Sequence, residues 1–293
     1  MRLFLGRRGC SLTPMASLLA LISSAMWGTA DYFAGRMSKQ RHPFAVLGLS
    51  QIFGLITGVL IVLVSGDWHG QALGFDGYLL YGALAGLCGY IGLACLYEGL
   101  STGRMGVVSP ISSMSAVIPV AYALITGDTL TAITSIGVVI ALVGVFCASG
   151  PELSNGLPLK PLLLALGAAA GFGLALTFIS IGSQESALMT MVSMRGATFF
   201  VTIALAMRFK TTGGFSKKDM PLLIFIGAAD FIANLLLGVA TTKGLVSVAM
   251  VFGSLYPIAT ALLAFKFLNE RLHKIQYVGI ALAVTGVSII SAF

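Results

Sequence analysis

Charge is scarce in this chain of 293 residues. Asp, Glu, Lys and Arg make up 9% of it, whereas 57% is hydrophobic. A soluble domain carries roughly 25% charged residues, and the mean hydropathy here is +0.99. The composition therefore excludes an ordinary soluble domain and predicts an integral membrane protein that has the lipid bilayer as a partner.

Metal ligands and catalytic groups are also sparse. The three histidines, His42, His69 and His273, fall outside the long apolar runs, and the four cysteines show no ligand or disulfide spacing. Pairs of glycines four residues apart, such as Gly54 and Gly58, occur in the apolar runs. No Walker-type lysine follows them, so the sequence contains no phosphate-binding loop. We therefore predict no metal, no cofactor and no ATP-driven pump. An integral membrane enzyme and an auxiliary membrane subunit stay open as alternatives.

Apolar runs of about 20 residues, the length that spans a hydrocarbon core as a helix, recur ten times along the chain. Each must be helical, because lipid offers no water to bond the backbone. The sequence therefore predicts an all-α integral membrane fold of ten transmembrane helices. The predicted spans are residues 17–36, 43–65, 77–99, 105–126, 131–149, 161–182, 188–207, 220–241, 246–267 and 274–292.

The ten spans divide into two similar halves. An N-terminal extension at 1–14 precedes a first five-helix repeat at 15–149, a turn-rich linker at 150–159 and a second five-helix repeat at 160–293. Because five is odd, the second copy enters the membrane in the opposite direction, and such inverted repeats are typical of transporters. The matching pairs include Leu18 with Leu163, Gly28 with Gly173, Asp128 with Glu270, Gly137 with Gly279 and Gly144 with Gly286.

The basic residues are concentrated in alternate loops. Most of the 17 Lys and Arg residues fall in the loops of one predicted side. Cytoplasmic loops carry such an excess, so we predict a multi-pass protein of the plasma (inner) membrane with both termini outside. On a soluble protein the same surplus would indicate nucleic-acid binding, which is not predicted here.

Short motifs then recur in the same order in both halves. The first half has Trp27-Gly28, Ser109-Pro110 and Gly127-Asp128, and the second has Lys243-Gly244, Ser254-Leu255-Tyr256-Pro257, Asn269-Glu270-Arg271-Leu272 and Gly286-Val287. With these motifs the chain resembles the EamA-type ten-helix permeases of the drug/metabolite transporter superfamily, over about residues 15–292. It departs from the family pattern at Asp128, where glutamate is usual. Family members often have an arginine early in the second helix of each half; Arg195 fits this pattern in the second half, but the matching position in the first half is Gln51.

The resemblance implies an exporter of amino acids, other small metabolites or toxic compounds. Such proteins are usually driven by the proton gradient or by the gradient of the solute itself. The favoured prediction is a secondary active transporter that exports a small metabolite such as an amino acid by alternating access, with protons as a candidate coupling ion. A multidrug or organic-cation exporter is the alternative. We predict a monomer or a homodimer.

Charged residues inside the spans are the main functional candidates, because a charge at the bilayer centre costs about 2.5–3.5 kcal/mol or more. Asp230 lies near the middle of its span, with Asn234 one turn later on the same face, where the two could bind an amine or exchange a proton. Arg195 could hold a substrate carboxylate, pair with a carboxylate such as Asp230, or extend to the interface.

Asp31 and Glu98 lie near the ends of two odd-numbered spans, so both belong to one side of the membrane. They are either interfacial ion-pair residues or a carboxylate gate for protons. Trp27, one turn before Asp31, would form an aromatic wall beside it. Tyr256 and Pro257 are predicted to line the cavity, with Pro257 either freeing a carbonyl or making a tolerated kink.

The acids of the two short hinges, Asp128 and Glu270, occupy matching places in the halves. An acid at the start of a helix interacts favourably with the helix dipole. We therefore predict a structural role for both, in which each supports the helix that follows it.

Overall fold

The computed structural model describes residues 13–38, 40–68, 72–74, 77–101, 105–150, 159–209, 214–268 and 273–292. Most of the predicted N-terminal extension, most of the linker and the hinge acid Glu270 lie outside these described residues. The part of the chain that is described contains eleven α-helices, one short 3-10 helix and no β-strand.

The helices follow one another with short connections. Their bounds are α1 Pro14–Ser38, α2 Pro43–Ser65, α3 Tyr78–Ser101, α4 Met105–Ser113, α5 Val117–Thr126, α6 Ala132–Ala148, α7 Leu159–Phe209, α8 Met220–Lys243, α9 Val246–Gly253, α10 Tyr256–Leu268 and α11 Lys274–Ala292. The 3-10 helix Met114–Ala116 lies between α4 and α5.

Helical segments cover all ten predicted spans. Within the described residues, six helical segments are long and apolar enough to cross a membrane by length and composition: Phe44–Ser65, Tyr78–Leu96, Leu159–Arg208, Met220–Lys243, Val246–Phe267 and Lys274–Ala292. Two shorter apolar helices accompany them, Pro110–Thr126 and Ala132–Ala148. The fold is therefore an all-α membrane fold, and the crossing of the membrane ten times stays a prediction.

The sixth and seventh predicted spans are joined without the loop that the sequence suggested. The segment α7 is two helices that meet at a kink, where only Ser186 leaves helical geometry, with φ −155° and ψ 114°. The Oγ atom of Ser186 accepts a hydrogen bond of 3.2 Å from the backbone N–H of Met189. Ser186 therefore acts as the N-cap of the second half of α7, so one residue replaces the expected loop.

The fourth and ninth predicted spans are each interrupted near the middle. The 3-10 turn Met114–Ala116 divides the fourth, and a turn after α9 divides the ninth. Ser113 precedes the first break and Ser254 opens the second. The hydroxyl of each serine donates to the carbonyl three residues earlier, Ser113 to that of Pro110 and Ser254 to that of Val251, both at 2.7 Å. Serine side chains that bond their own backbone compete with helical geometry.

Pro257 does not kink a continuous helix. It is the second residue of α10, a position where the missing N–H removes no helical hydrogen bond. The break precedes the proline, so of the two alternatives for Pro257 the structure does not have the kink, and a role in lining the cavity stays a prediction. Pro119 lies in the same way in the first turn of α5.

Glycines allow α6 and α11 to approach closely. A Cβ atom added to Gly144 would lie 2.8 Å from the carbonyl oxygen of Gly279, and one added to Gly286 would lie 2.6 Å from that of Gly137. Since the earlier glycine of each helix faces the later glycine of the other, the two helices run antiparallel. Small residues permit this kind of backbone contact in membrane bundles.

A second close contact occurs twice between the halves, each time between a glycine of one half and a backbone carbonyl of the other. A Cβ atom added to Gly28 would lie 2.6 Å from the carbonyl oxygen of Tyr256, and one added to Gly173 would lie 2.7 Å from that of Ser115. Gly28 matches Gly173 when the halves are aligned, and Ser115 and Tyr256 both lie in interrupted spans. The first helix of each half therefore packs against the interrupted helix of the other.

Candidate functional site

Asp230 of α8 is the centre of a polar network inside the helix bundle. Its Oδ2 accepts a hydrogen bond of 2.7 Å from Arg195 Nη2. Its Oδ1 accepts one of 3.0 Å from Trp27 Nε1 and one of 3.1 Å from Asn234 Nδ2. Asn234 also donates to the Asp230 backbone carbonyl at 2.7 Å. The structure thus brings four predicted site residues from α1, α7 and α8 together.

Arg195 is bound on two sides. Besides its ion pair with Asp230, its Nη1 donates to Oε1 of Gln51 on α2, and the residue is only 3% exposed. Thr198 donates to the same Gln51 oxygen at 3.4 Å. The Nε atom of Arg195 has no hydrogen-bond partner within the described residues. It passes Gly54, where an added Cβ would lie 3.4 Å from it, so that glycine leaves room for the guanidinium.

This geometry selects one of the three alternatives predicted for Arg195. The guanidinium pairs with Asp230 and does not extend to the interface. Removing one partner of a buried ion pair costs about 3–5 kcal/mol, so a solute carboxylate would have to compete with Asp230 for it. In the sequence, Gln51 stands out only as a departure from the family pattern. It occupies the position in the first half that matches Arg195 in the second half, and this match is the signal that could have indicated their contact.

Two aromatic rings lie beside the network. Trp27 and Tyr256 meet edge to face, with ring centroids 6.0 Å apart and an interplanar angle of 75°. Trp27 is held by its hydrogen bond to Asp230, and Tyr256 is the first residue of α10. Pro257 follows Tyr256 and is half-buried. The two rings thus form an aromatic contact between α1 and α10, and their role as walls of a cavity stays a prediction.

Asp31 lies one turn after Trp27 on α1. On α1, Ser23 donates to the carbonyl of Ala233 on α8 at 2.7 Å, and Gly28 packs against Tyr256 of α10. With 3.6 residues per turn, the side chain of Asp31 points between these two contact directions. Asp31 lies at the surface of the helix bundle, and its carboxylate interacts electrostatically with Asp230 and with Tyr256.

Glu98 is engaged elsewhere. Its Oε1 lies 2.8 Å from Lys160 Nζ, and the two side chains are 55% and 69% exposed. No contact within the described residues joins Glu98 to Asp31 or to Asp230. The structure thus has an ion pair at Glu98, one of the two alternatives that the sequence left open, and the carboxylate gate stays a prediction.

Asp128 makes a contact that sequence reasoning missed. Its Oδ2 accepts hydrogen bonds from the backbone N–H and from the Oγ of Ser247, both at 2.8 Å. Asp128 thereby caps α9 in the other half, whereas α6, the helix that follows it, is capped by Thr131 through a bond of 3.1 Å from the N–H of Thr134. The prediction that Asp128 supports the following helix was wrong, because the sequence does not reveal which helix ends meet.

A second contact between distant loops lies at the N-terminal end of α8, whereas the contact of Asp128 with Ser247 lies beyond its C-terminal end. Arg41 Nη2 is 2.8 Å from Oδ2 of Asp219. Hydrogen bonds from the backbone N–H and the hydroxyl of Ser216, together with Arg41, hold the pKa of Asp219 below its usual range. This contact joins the loop before α2 to the loop before α8.

The model of the EamA-like transporter family matches residues 14–150 and again residues 159–292. The chain belongs to the EamA-like transporter family. Each half is matched separately, and together the two matches cover nearly the whole chain. The protein is thus a multi-pass membrane transporter of the drug/metabolite superfamily, with a small-molecule solute and a lipid environment.

One similar protein matches about half of this chain, and one solved structure matches nearly all of it. An uncharacterised protein of Methanocaldococcus jannaschii is 26% identical over 135 residues, which are 46% of this transporter and 96% of the relative. That relative is therefore about as long as one half. A solved crystal structure with 16% identity covers 94% of this chain and 97% of its own, with a TM-score of 0.79, and it shows that the fold is shared.

Proposed function

We propose that this transporter is secondary active and exports a small metabolite across the plasma membrane by alternating access. The observation that carries the proposal is the ion pair of Arg195 and Asp230 within the membrane bundle, surrounded by three further polar or aromatic partners. Buried ion pairs are often no more stabilising than apolar residues of similar volume. Charged groups inside a membrane-spanning bundle therefore point to a solute site.

Alternating access requires two halves that can exchange arrangements, and we propose that the halves are inverted repeats of five transmembrane helices each. The antiparallel packing of α6 and α11 supports this, because these helices are equivalent in the two halves. The paired contacts of Gly28 and Gly173 support it as well. A site between such halves can face each side of the membrane in turn.

The proposed solute site is formed by Asp230, Arg195 and Asn234, with Trp27 and Tyr256 as its walls. The solute binds beside the ion pair and need not separate it. Protons are a candidate coupling ion, because a carboxylate lies next to the network at Asp31. We propose transport and not catalysis, since the family is one of transporters.

The proposal is tested by comparing metabolites in cells with and without the protein, in the presence and absence of a proton-gradient uncoupler. We expect at least one small solute to accumulate when the protein is absent. Asp230→Asn should fail to restore its export, whereas Glu185→Gln, which removes the same charge outside the network, should restore it. A profile in which no solute changes would contradict the proposed transport.

A further inference from the structure

A stripe of polar and small residues runs along α8 from the ion pair toward the C-terminal end of the helix. Asp230, Asn234, Gly238 and Thr241 follow one another at helical spacing, so they lie on one face of α8. At a rise of about 1.5 Å per residue the stripe is about 16 Å long, roughly half the thickness of a hydrocarbon core. Polar side chains inside a membrane bundle mark solute pathways.

The first half of α7 covers this stripe. A Cβ atom added to Gly238 would lie 2.5 Å from Oγ of Ser183, so the hydroxyl of Ser183 points at the backbone of α8. Next to it, Gln184 Nε2 donates to the carbonyl of Thr241 at 3.3 Å. We call the contact of Ser183 and Gln184 with Gly238 and Thr241 the α7–α8 seam. Gln184 is exposed, so the seam reaches the surface of the bundle at this residue.

The hydroxyl of Ser183 has no hydrogen-bond partner within the described residues, although Ser183 is only 3% exposed. A buried hydroxyl without a partner destabilises the folded protein. Two other buried hydroxyls of α7 differ from it, because Ser180 and Thr177 donate to carbonyls of their own helix at 2.8 and 2.9 Å. The hydroxyl of Ser183 is therefore available to a ligand that enters the seam.

We propose that the solute moves between the ion pair and the C-terminal end of α8 along the α7–α8 seam, and that Ser183 binds its polar groups on the way. This inference rests on the proposed transport function and names its substrate class, a small hydrogen-bonding solute without net charge. The amides of Asn234 and Gln184, which lie before and after Ser183 along the stripe, bind the same polar groups.

The side chains of the seam determine this class. Residues 173–184 of α7 and 231–242 of α8 contain no charged residue. A solute with a net charge would pass them without a counter-ion, which is costly inside a membrane. An apolar solute would leave the hydroxyl and the amides unpaired, and sites built from such groups reject analogues that lack hydrogen-bonding atoms.

Removing the hydroxyl of Ser183 tests its role. Because this hydroxyl has no partner, Ser183→Ala should leave the midpoint of thermal unfolding unchanged or raise it. Export of the solute that accumulates in cells without the protein should nevertheless fall about tenfold, since the solute loses a hydrogen bond in the seam. The control Ser288→Ala removes a hydroxyl that is bonded to Val284 on α11, and it should not change export.

Opening of the seam is measured on the purified full chain in lipid nanodiscs, with the native cysteines replaced. Ser183→Cys should react with N-ethylmaleimide each time the seam opens. Ala168→Cys is the matched control, because Ala168 is equally buried in the first half of α7 and its carbonyl faces Gly92 of α3. We expect the control to react at least about tenfold more slowly.

Equal reaction rates of the two cysteine variants would overturn the inference, and so would a lower unfolding midpoint in Ser183→Ala, which would make the hydroxyl structural. An exported solute with a net charge would overturn the substrate class. If Ser183→Ala exports the solute at the normal rate, the seam is refuted and transport stands. If Ser183→Cys reacts selectively while no solute changes in cells, the opening of the seam stands and the transport proposal fails.

Discussion

Replacing Asp128 with alanine should release the N-terminal end of α9 from the hinge of the other half. The carboxylate accepts two hydrogen bonds from Ser247, both at 2.8 Å. A hydrogen bond to a charged group contributes roughly 1.5–3 kcal/mol. Because Asp128 is half-exposed, solvent weakens both bonds, and we take about 1 kcal/mol for each, below this range, or about 2 kcal/mol for the two together. The open population at this end should then rise roughly thirtyfold.

The opening is measured by the reactivity of a cysteine placed in α9. Met250 is 1% exposed, so Met250→Cys, in a chain whose native cysteines are replaced, reports opening through its rate of modification by a membrane-impermeant thiol reagent. We expect the rate to rise roughly thirtyfold with Asp128→Ala. Ser247→Ala should have a smaller effect, because the backbone N–H remains as a donor.

A control in the same hinge is available. Thr131→Ala removes the cap of α6 and leaves the contact with α9 intact, so it should not expose Met250→Cys. Equal rates in Asp128→Ala and the unmodified hinge would show that the contact does not hold this end closed. Equal acceleration by Thr131→Ala would show that any disturbance of the hinge opens it.

Three further outcomes are expected. Gly144→Val should destabilise the protein by about 1–3 kcal/mol or more in thermal unfolding, because its Cβ would lie 2.8 Å from the carbonyl oxygen of Gly279. Gly196→Ala, where an added Cβ meets no atom within 4 Å, should be tolerated. The lowered pKa of Asp219 contributes stability that is present above its unfolded pKa of about 3.9 and is lost as the pH falls through the folded value. Acid unfolding of Asp219→Asn should lack this component. A reporter at the C-terminus should be accessible from outside the cell, and a cytoplasmic signal would reverse the predicted orientation.

Much of the fold could be predicted because it depends on local properties of the chain. The apolar run that became α8 is long enough to span a membrane, and the matching of Gly28 with Gly173 is visible without any structure. The internal breaks of the fourth and ninth spans were harder, since Ser113 and Ser254 are ordinary serines in apolar runs. Whether such a serine ends a helix depends on which backbone groups are near it in the folded protein.

The candidate site was predicted as residue types and not as an arrangement. Asp230 and Asn234 could be paired from their helical spacing. Arg195 could be interpreted in three ways, and its contact with Gln51, 144 residues away, could not be derived from spacing. Glu98 showed the limit most clearly, because its position resembled that of Asp31 while its partner turned out to be Lys160.

The sequence by itself determined the class of protein, the helical segments and the duplicated design, because hydrophobic run length and repetition are read directly along the chain. Only the tertiary structure decided which charges are neutralised. It pairs Arg195 with Asp230, places Asp128 on the other half and leaves Asp31 exposed between α8 and α10. These outcomes depend on the distances between helices that are far apart in the sequence. Those distances are set by helix packing, which the residue types along the chain do not specify.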